Sequence, residues 1–284
     1  MHYNVLKASQ SPGMLSTMDT QPAATPRTDP LFVRSIEKAF RVLGAFGPGH
    51  VSLSLGQIAE AASLDKSAAQ RFTHTLERLG YLVKDKATRR FALTPRTLDL
   101  GHHYLRSCPL VDRAAPYLQE LSRATEEAVS LTVLDGTEIV YIARLMSRHM
   151  VSTPVIVGTR LPAYCTAPGI ALLARLPPAE ALALLQRSDR IAYTPHTTTS
   201  LDILDKKLAA TRRRGWAITV EEIYPTDISL GATIAGPLGE ALGAVSLSVS
   251  SLRLSPDDAA SRFAPLLLGT AQAMSAPPLS RGRR

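Results

Sequence analysis

Between Phe32 and Leu93 the chain carries three helix signatures in a row and then a short, strongly basic hairpin, an order that few folds accommodate. Ile36, Ala39, Phe40 and Leu43 recur at i, i+3, i+4 and i+7, which is one helix face, and the glycine-rich run from Gly44 to Gly49 ends it. Ser54 followed by Gln57 is a capping box, in which the two side chains satisfy each other's free amides; Leu55, Ile58, Ala59 and Ala62 form the stripe behind it. After a turn at Ser63 and Leu64, Asp65 is a good N-cap for a third helix. Its inward seam is Ala69, Phe72, Leu76 and Leu79, and Gly80 closes it. Tyr81 to Val83 and Phe91 to Leu93 read as strands joined by a polar tip that holds Lys84, Lys86, Thr88, Arg89 and Arg90.

Three helices and a basic hairpin predict a winged helix-turn-helix over residues 31–94. With its seam turned inward, the third helix presents Lys66, Ser67, Gln70, Arg71 and His74 outward. Arg71 and Gln70 suit base reading, because their planar ends pair bidentately with guanine or adenine. Lys66, Arg89 and Arg90 suit phosphates. Arg34, Ser54, Ala69, Lys84 and Thr88 complete the candidate DNA contacts. The charge supports this reading. Residues 31–107 hold 12 Lys and Arg against 6 acids, most of the chain's net +8, and residues 1–30 balance. A positive field confined to one segment is the footprint of a phosphate-backbone binder, although basic surfaces also serve solubility and acidic partners.

The first 30 residues, with Pro12, Pro22, Pro26 and Pro30 and no apolar period, read as a disordered arm. Thr94 and Pro95 open a linker helix over residues 95–109, and a helix from about Leu110 to Leu121 begins a larger unit that extends to residue 275. Within it, Val129 to Leu134 and Glu138 to Ala143 are strand-like around an Asp135-Gly136 turn. Ile170 to Arg175, Pro178 to Gln186 and Ser200 to Arg213 are helical; Gly231 to Ala235 and Ala241 to Ser250 are strand-like; and Asp257 to Met274 is a closing helix. Residues 276–284 form a flexible basic tail. Hairpins with interspersed helices give an α+β fold rather than an alternating parallel sheet.

FVRSIEKAFRVLGAF, LSLGQIAEAASLDKSAAQRFTHTLERLGYLVKDKATRRFALTPRTLDLG, VLDGTEIVYIARLMSRH, VGTRLPAYCTAPGIALLARLP and AVSLSVSS together resemble the isocitrate lyase regulator (IclR) family of bacterial transcription factors. SAAQRF, MSRH and GTRLPAYCTAPG are most similar to its protocatechuate and β-ketoadipate pathway branch. The resemblance implies a winged helix-turn-helix joined by a linker helix to a GAF-like effector-binding domain with an antiparallel sheet. It implies double-stranded operator DNA as partner, a homodimer or homotetramer, RNA polymerase as a further partner if the protein activates, and a small organic acid effector such as an aromatic carboxylate or β-ketoadipate. An aliphatic acid effector, or none, is the alternative. The implied effector residues are the Gly158 and Thr159 loop, Tyr164, Cys165, Ser229, Ser248 and Ser250; Arg144, Arg148 and Arg160 could partner an anion. The plainer account of Ser246, Ser248 and Ser250 is the solvent side of an alternating strand. Two departures stand out: Ile170 follows Gly169 where the family often has lysine, and Ser63 occupies a turn position where glycine is common.

No GxSxG, GxxxxGK[ST], GxGxxG or HExxH occurs, so no enzyme is expected. His102 and His103 are adjacent and point about 100° apart on a helix, a poor metal pair. Cys108 and Cys165 lack the spacing of a disulfide framework or zinc site, so neither metal nor cofactor is expected. Arg175 and Arg262 interrupt the richest apolar runs, and neither a membrane span nor a secretory signal is read; the expected location is the cytoplasm, at the bacterial nucleoid.

Overall fold

The computed structural model describes residues 29–47, 49–149 and 154–275; the arm expected before Asp29 and the tail expected after Ser275 lie outside the described residues. The backbone forms two compact units that divide between His103 and Tyr104.

The first unit contains α1 (Arg34–Gly44), α2 (Leu55–Ala61), α3 (Lys66–Arg78) and the hairpin β1 (Leu82–Lys84) and β2 (Phe91–Leu93). Both expected caps form. Ser54 Oγ accepts from the Gln57 amide at 3.3 Å while Gln57 Oε1 accepts from the Ser54 amide at 3.0 Å, and Asp65 accepts from the Ala68 amide at 2.7 Å. Ser63 takes the left-handed conformation at φ 51°, a strain that glycine would not feel and that the turn between α2 and α3 imposes. The core face of α1 differs from the expected one: Val42 and Ala45 are buried with Ile58, Leu76 and Phe91, whereas Ile36 and Phe40 are 56% and 55% exposed. α1 is apolar on two sides, and only one of them meets this unit's own core. Leu79, expected in the seam, lies past the last turn of α3 and is exposed.

Between the hairpin and the second unit's core run a short 3-10 turn at Pro95–Thr97 and α4 (Leu98–Ser107). Thr94 precedes that turn, but its hydroxyl donates to the Gly80 carbonyl at 2.5 Å, tying the hairpin exit to the end of α3.

The second unit is a six-stranded antiparallel sheet between two helical layers. Its elements are α5 (Pro109–Thr125), β3 (Ala128–Asp135), β4 (Glu138–Leu145), β5 (Arg160–Pro162), α6 (Ala167–Arg175), α7 (Pro178–Arg187), α8 (Leu201–Arg214), β6 (Trp216–Val220), β7 (Asp227–Ala235), β8 (Ala241–Ser250) and α9 (Pro256–Ser275). The strand order is β5-β4-β3-β8-β7-β6. β5 and β6 escape the sequence reading because a three-residue edge strand and a five-residue strand directly after a helix carry too little alternation. Alternate residues divide the two faces. Ile228, Leu230, Val245, Leu247 and Val249 pack with Leu118 of α5 and Phe263 of α9, while the opposite face meets α6.

That opposite face is lined with small residues. Register places Arg144, Ser130, Ser246 and Gly231 in one row across β4, β3, β8 and β7, and Ala128, Ser248, Ser229 and Thr219 in the next. A Cβ on Gly231 would stand 2.6 Å from the Ala167 carbonyl and the Pro168 nitrogen, so glycine there lets the start of α6 lie directly on β7. Gly169 is equally constrained, since its Cβ would lie 2.3 Å from the Ala163 carbonyl oxygen. The solvent-side account of the late serines is therefore overturned: β8 is an inner strand, and Ser246 and Ser250 are buried.

Candidate functional site

In the first unit, Lys66, Ser67, Gln70, Arg71 and His74 stand exposed along the outer face of α3, as the seam at Ala69, Thr73 and Leu76 requires. Ala69 is a correction to the expected contact set. It is 0% exposed and packs inward, out of reach of any partner. Ser54 is held in its capping box, and Arg34 is exposed in the first turn of α1.

The wing is organised by Asp85. Its carboxylate accepts from the Thr88 amide at 2.6 Å and the Thr88 hydroxyl at 2.7 Å, bonds that hold its pKa below the ordinary value. Thr88 is thereby engaged in shaping the tip. Arg89 follows in the left-handed conformation and is exposed, as is Lys86. Arg90 turns back instead, donating to the Ser52 hydroxyl at 3.1 Å and carbonyl at 2.6 Å, and Lys84 lies over the Phe91 ring at 5.0 Å. Two of the four basic wing residues thus serve the wing's own structure.

In the second unit a shallow, solvent-open recess lies between the small-residue sheet face and the start of α6. Val155, Leu161, Ile223 and Pro168 give it apolar walls; Tyr141, Arg144, Tyr224, Asp227, Ser229 and Ser248 give it polar ones. Ser229 and Ser248 are cross-strand partners with hydroxyl oxygens 2.6 Å apart, and Asp227 lies two residues before Ser229 on the same strand. Desolvation pushes Asp227 up to about 6, against the pull of those hydroxyls and of Arg144. Arg144 Nη1 donates to the hydroxyl of Ser130, its cross-strand partner on β3, at 3.0 Å. Burial likewise raises the Tyr141 phenol.

Arg144, Asp227 and Ser248 also line a second, adjoining recess, where Ser250 lies. Its far wall holds Glu127, buried and paired with Arg253 at 2.6 Å, with His149 Nε2 at 3.9 Å.

The expected effector residues divide. Cys165, Ser229, Ser248 and Ser250 line the two recesses. Gly158 and Thr159 do not: they form a turn whose backbone bonds to Tyr141 on β4, with Gly158 at φ 90°. Tyr164 is enclosed in the core with its hydroxyl donating to the Ile191 carbonyl at 2.5 Å. Arg160 clamps Asp135 at 2.7 Å and Glu138 at 2.8 Å on the sheet edge, and Arg148 pairs with Glu126 at 3.1 Å. Ile170, the departure from a common lysine, is enclosed in the core. Cys165 is buried, and desolvation raises its thiol to about 12, a protonated state ill-suited to nucleophilic work.

Sequence reasoning missed Asp227, Tyr141 and Tyr224. Asp227 lies two residues before Ser229 with Ile228 between them, an alternation that puts both on one face once β7 is extended back from Gly231.

An exposed, polar helix followed by a basic hairpin, and then a separate α+β unit with a mixed polar and apolar recess, define the class of a helix-turn-helix protein with a second domain. Residues 35–86 match the IclR helix-turn-helix domain, and residues 102–276 match the C-terminal domain of the bacterial transcriptional regulator IclR. The chain belongs to the IclR family of transcriptional regulators. A Pca regulon regulatory protein of Pseudomonas putida is 34% identical over 245 residues, covering 86% of this chain and 84% of its own. A solved chain from Rhodococcus sp. RHA1 is 36% identical with a TM-score of 0.74, covering 86% of this chain and 97% of that one. An IclR homologue of Microbacterium hydrocarbonoxydans, solved in complex with 4-hydroxybenzoate, has a TM-score of 0.70 at 23% identity, covering 85% and 97%; at that identity the likeness is one of fold. Among the described residues no helix is long and apolar enough to cross a membrane.

Proposed function

We propose that this regulator controls a catabolic operon for aromatic acids and that a small organic acid bound in the recess sets its DNA affinity. The observation that carries this reading is the recess itself: apolar walls around a polar cluster of Arg144, Asp227, Ser229 and Ser248, the composition expected of a pocket for a compact, partly apolar acid. The Pca regulon relative and the 4-hydroxybenzoate bound to a neighbour of the same fold support the aromatic class.

On operator DNA, Arg71 and Gln70 read base edges, and Lys66 and Arg89 neutralise phosphates. The exposed apolar side of α1, with Ile36 and Phe40, supports pairing of two DNA-binding units as expected of a homodimer or homotetramer. The effector acts by two-state linkage, favouring one arrangement of the assembly and so changing its fit to paired half-sites.

A thermal-shift screen against aromatic and short aliphatic carboxylic acids tests the reading, with operator binding measured again for each hit. A selective rise of several degrees for one aromatic acid, with altered operator affinity, is the expected result. A response to aliphatic acids alone moves the regulated pathway elsewhere. No response, with DNA binding intact, overturns the effector.

A further inference from the structure

The turn between β6 and β7, residues 221–226, brings Ile223 and Tyr224 to the wall of one recess and Pro225 and Thr226 to the wall of the adjoining one. Its backbone is not in a relaxed conformation. Glu221 and Thr226, at its two ends, are left-handed at φ 54° and 61°, and neither is glycine. Such residues keep that conformation only where their surroundings over-determine it.

What holds the turn is polar and comes from elsewhere in the chain. Glu222 is buried, and its Oε1 accepts from Nζ of Lys207, on α8, at 2.5 Å. Its Oε2 accepts from the Thr198 amide at 3.0 Å, while the same Lys207 Nζ donates to the Thr198 hydroxyl at 2.6 Å. Carboxylate, ammonium and the loop before α8 therefore close one network. The carbonyls of the turn are tied to that loop as well: the Thr194 hydroxyl donates to the Glu221 carbonyl at 2.5 Å and the Thr197 hydroxyl to the Glu222 carbonyl at 2.6 Å. Lys207 stands on a fixed post, because Leu204 and Leu208 of the same helix are enclosed in the core. Neither Lys207 nor Glu222 lines a recess.

We propose that Lys207 and Glu222 are positioning residues for effector selectivity: from outside the recess they set where the wall of Ile223 and Tyr224 stands, and so which shapes of acid fit. The inference rests on the reading of the recess as the effector site and adds the residues that fix its wall. Glu222 directly precedes Ile223, so any movement of its carboxylate is passed to the wall. With the lysine removed, the carboxylate is enclosed without its cation and turns toward water, taking the turn with it. Discrimination between acids of different width follows from where an apolar wall stands, whereas the charge common to all of them does not distinguish them.

The test is hydrogen exchange and ligand binding on the full chain, as wild type and as Lys207→Met and Glu222→Gln, with benzoate, 4-hydroxybenzoate, protocatechuate and β-ketoadipate as probes. Lys207→Met should speed amide exchange in residues 220–227 about tenfold or more while leaving the centre of β8 unchanged. It should also change the ratio of affinities among the probes by about fivefold or more; where the wild type takes one probe alone, the variant should lose that exclusivity. Glu222→Gln keeps the side-chain volume and an acceptor for the Thr198 amide, and should move exchange and ratio in the same direction by less; it decides the matter if Lys207→Met does not fold. Weakening of every probe by the same factor is what a merely structural pair would give, and it overturns the inference while the effector reading stands. Unchanged exchange in residues 220–227 overturns it too. No binding of any probe by the wild type overturns the effector reading and the selectivity role together.

Discussion

Arg90 reaches from the wing back to Ser52, its Nε donating to the serine hydroxyl at 3.1 Å and its Nη2 to the serine carbonyl at 2.6 Å. The bond flanks the bridge between Leu53 and Phe91, so the wing is tied to the segment that leads into α2. A side chain that reads as a phosphate contact in the sequence is in place as a strut. Arg90→Ala should lower stability by about 1 kcal/mol, since the pair is partly exposed, and should weaken operator and random DNA together. Chemical denaturation and binding to both DNAs check it; unchanged stability with lost DNA binding would return Arg90 to the contact set.

Arg71 and Arg89 should separate by specificity. Arg71→Ala should cost roughly 1 to 3 kcal/mol of operator affinity and relax sequence preference, because the residue stands in the middle of the exposed face of α3. Arg89→Ala should weaken all DNA alike and reduce the salt slope by about 1. Titrations on operator and scrambled duplexes at several salt concentrations distinguish them, and equal losses on both duplexes for Arg71→Ala would remove it from base reading.

Gly231→Ala tests how the recess is roofed. The added Cβ would lie 2.6 Å from α6 backbone atoms, which are not free to give as the end of a flexible side chain is. The substitution should destabilise the second unit by about 1 to 3 kcal/mol and reduce ligand binding as α6 lifts from β7. Thermal melts with and without the acid show whether both losses appear. A variant as stable as the wild type would mean that α6 is not seated on this face.

Asp227 should leave a mark on stability as well. A carboxyl raised to about 6 in the folded chain from 3.8 binds more protons folded than unfolded in between. Stability should therefore decline as pH rises from about 4 to about 6, the reverse of the usual paired carboxylate. Asp227→Asn should remove this contribution, giving a flatter profile than the wild type across that window. Parallel melts over pH check it, and identical slopes for the two proteins would place the charge elsewhere.

What the amino-acid sequence determines here is local. Ser54 with Gln57 and Asp65 with Gly80 mark their helices because capping depends on groups within a few residues of each other. The outward set on α3 follows from helical period alone, and so does the inward place of Ala69, which cannot join the contact residues. The hairpin at Asp135 and Gly136 is equally local, with Gly136 at φ 61°.

Tertiary structure decided the rest, because a side chain's role depends on what lies across from it. The two apolar sides of α1 are alike in sequence, and only the packing of Val42 and Ala45 shows which one the unit uses. Arg144, Arg148 and Arg160 are equivalent cations in the sequence until the sheet sets Arg144 at the wall of the recess, Arg148 beside Glu126, and Arg160 beside Asp135 and Glu138. The union of Asp227, Ser229 and Ser248 with Arg144 spans more than 100 residues and depends on the order β4-β3-β8-β7, which no local period encodes. Helix and strand periods are set by backbone geometry that each segment carries alone, whereas the recess is set by cross-strand register and by two glycines that let α6 approach.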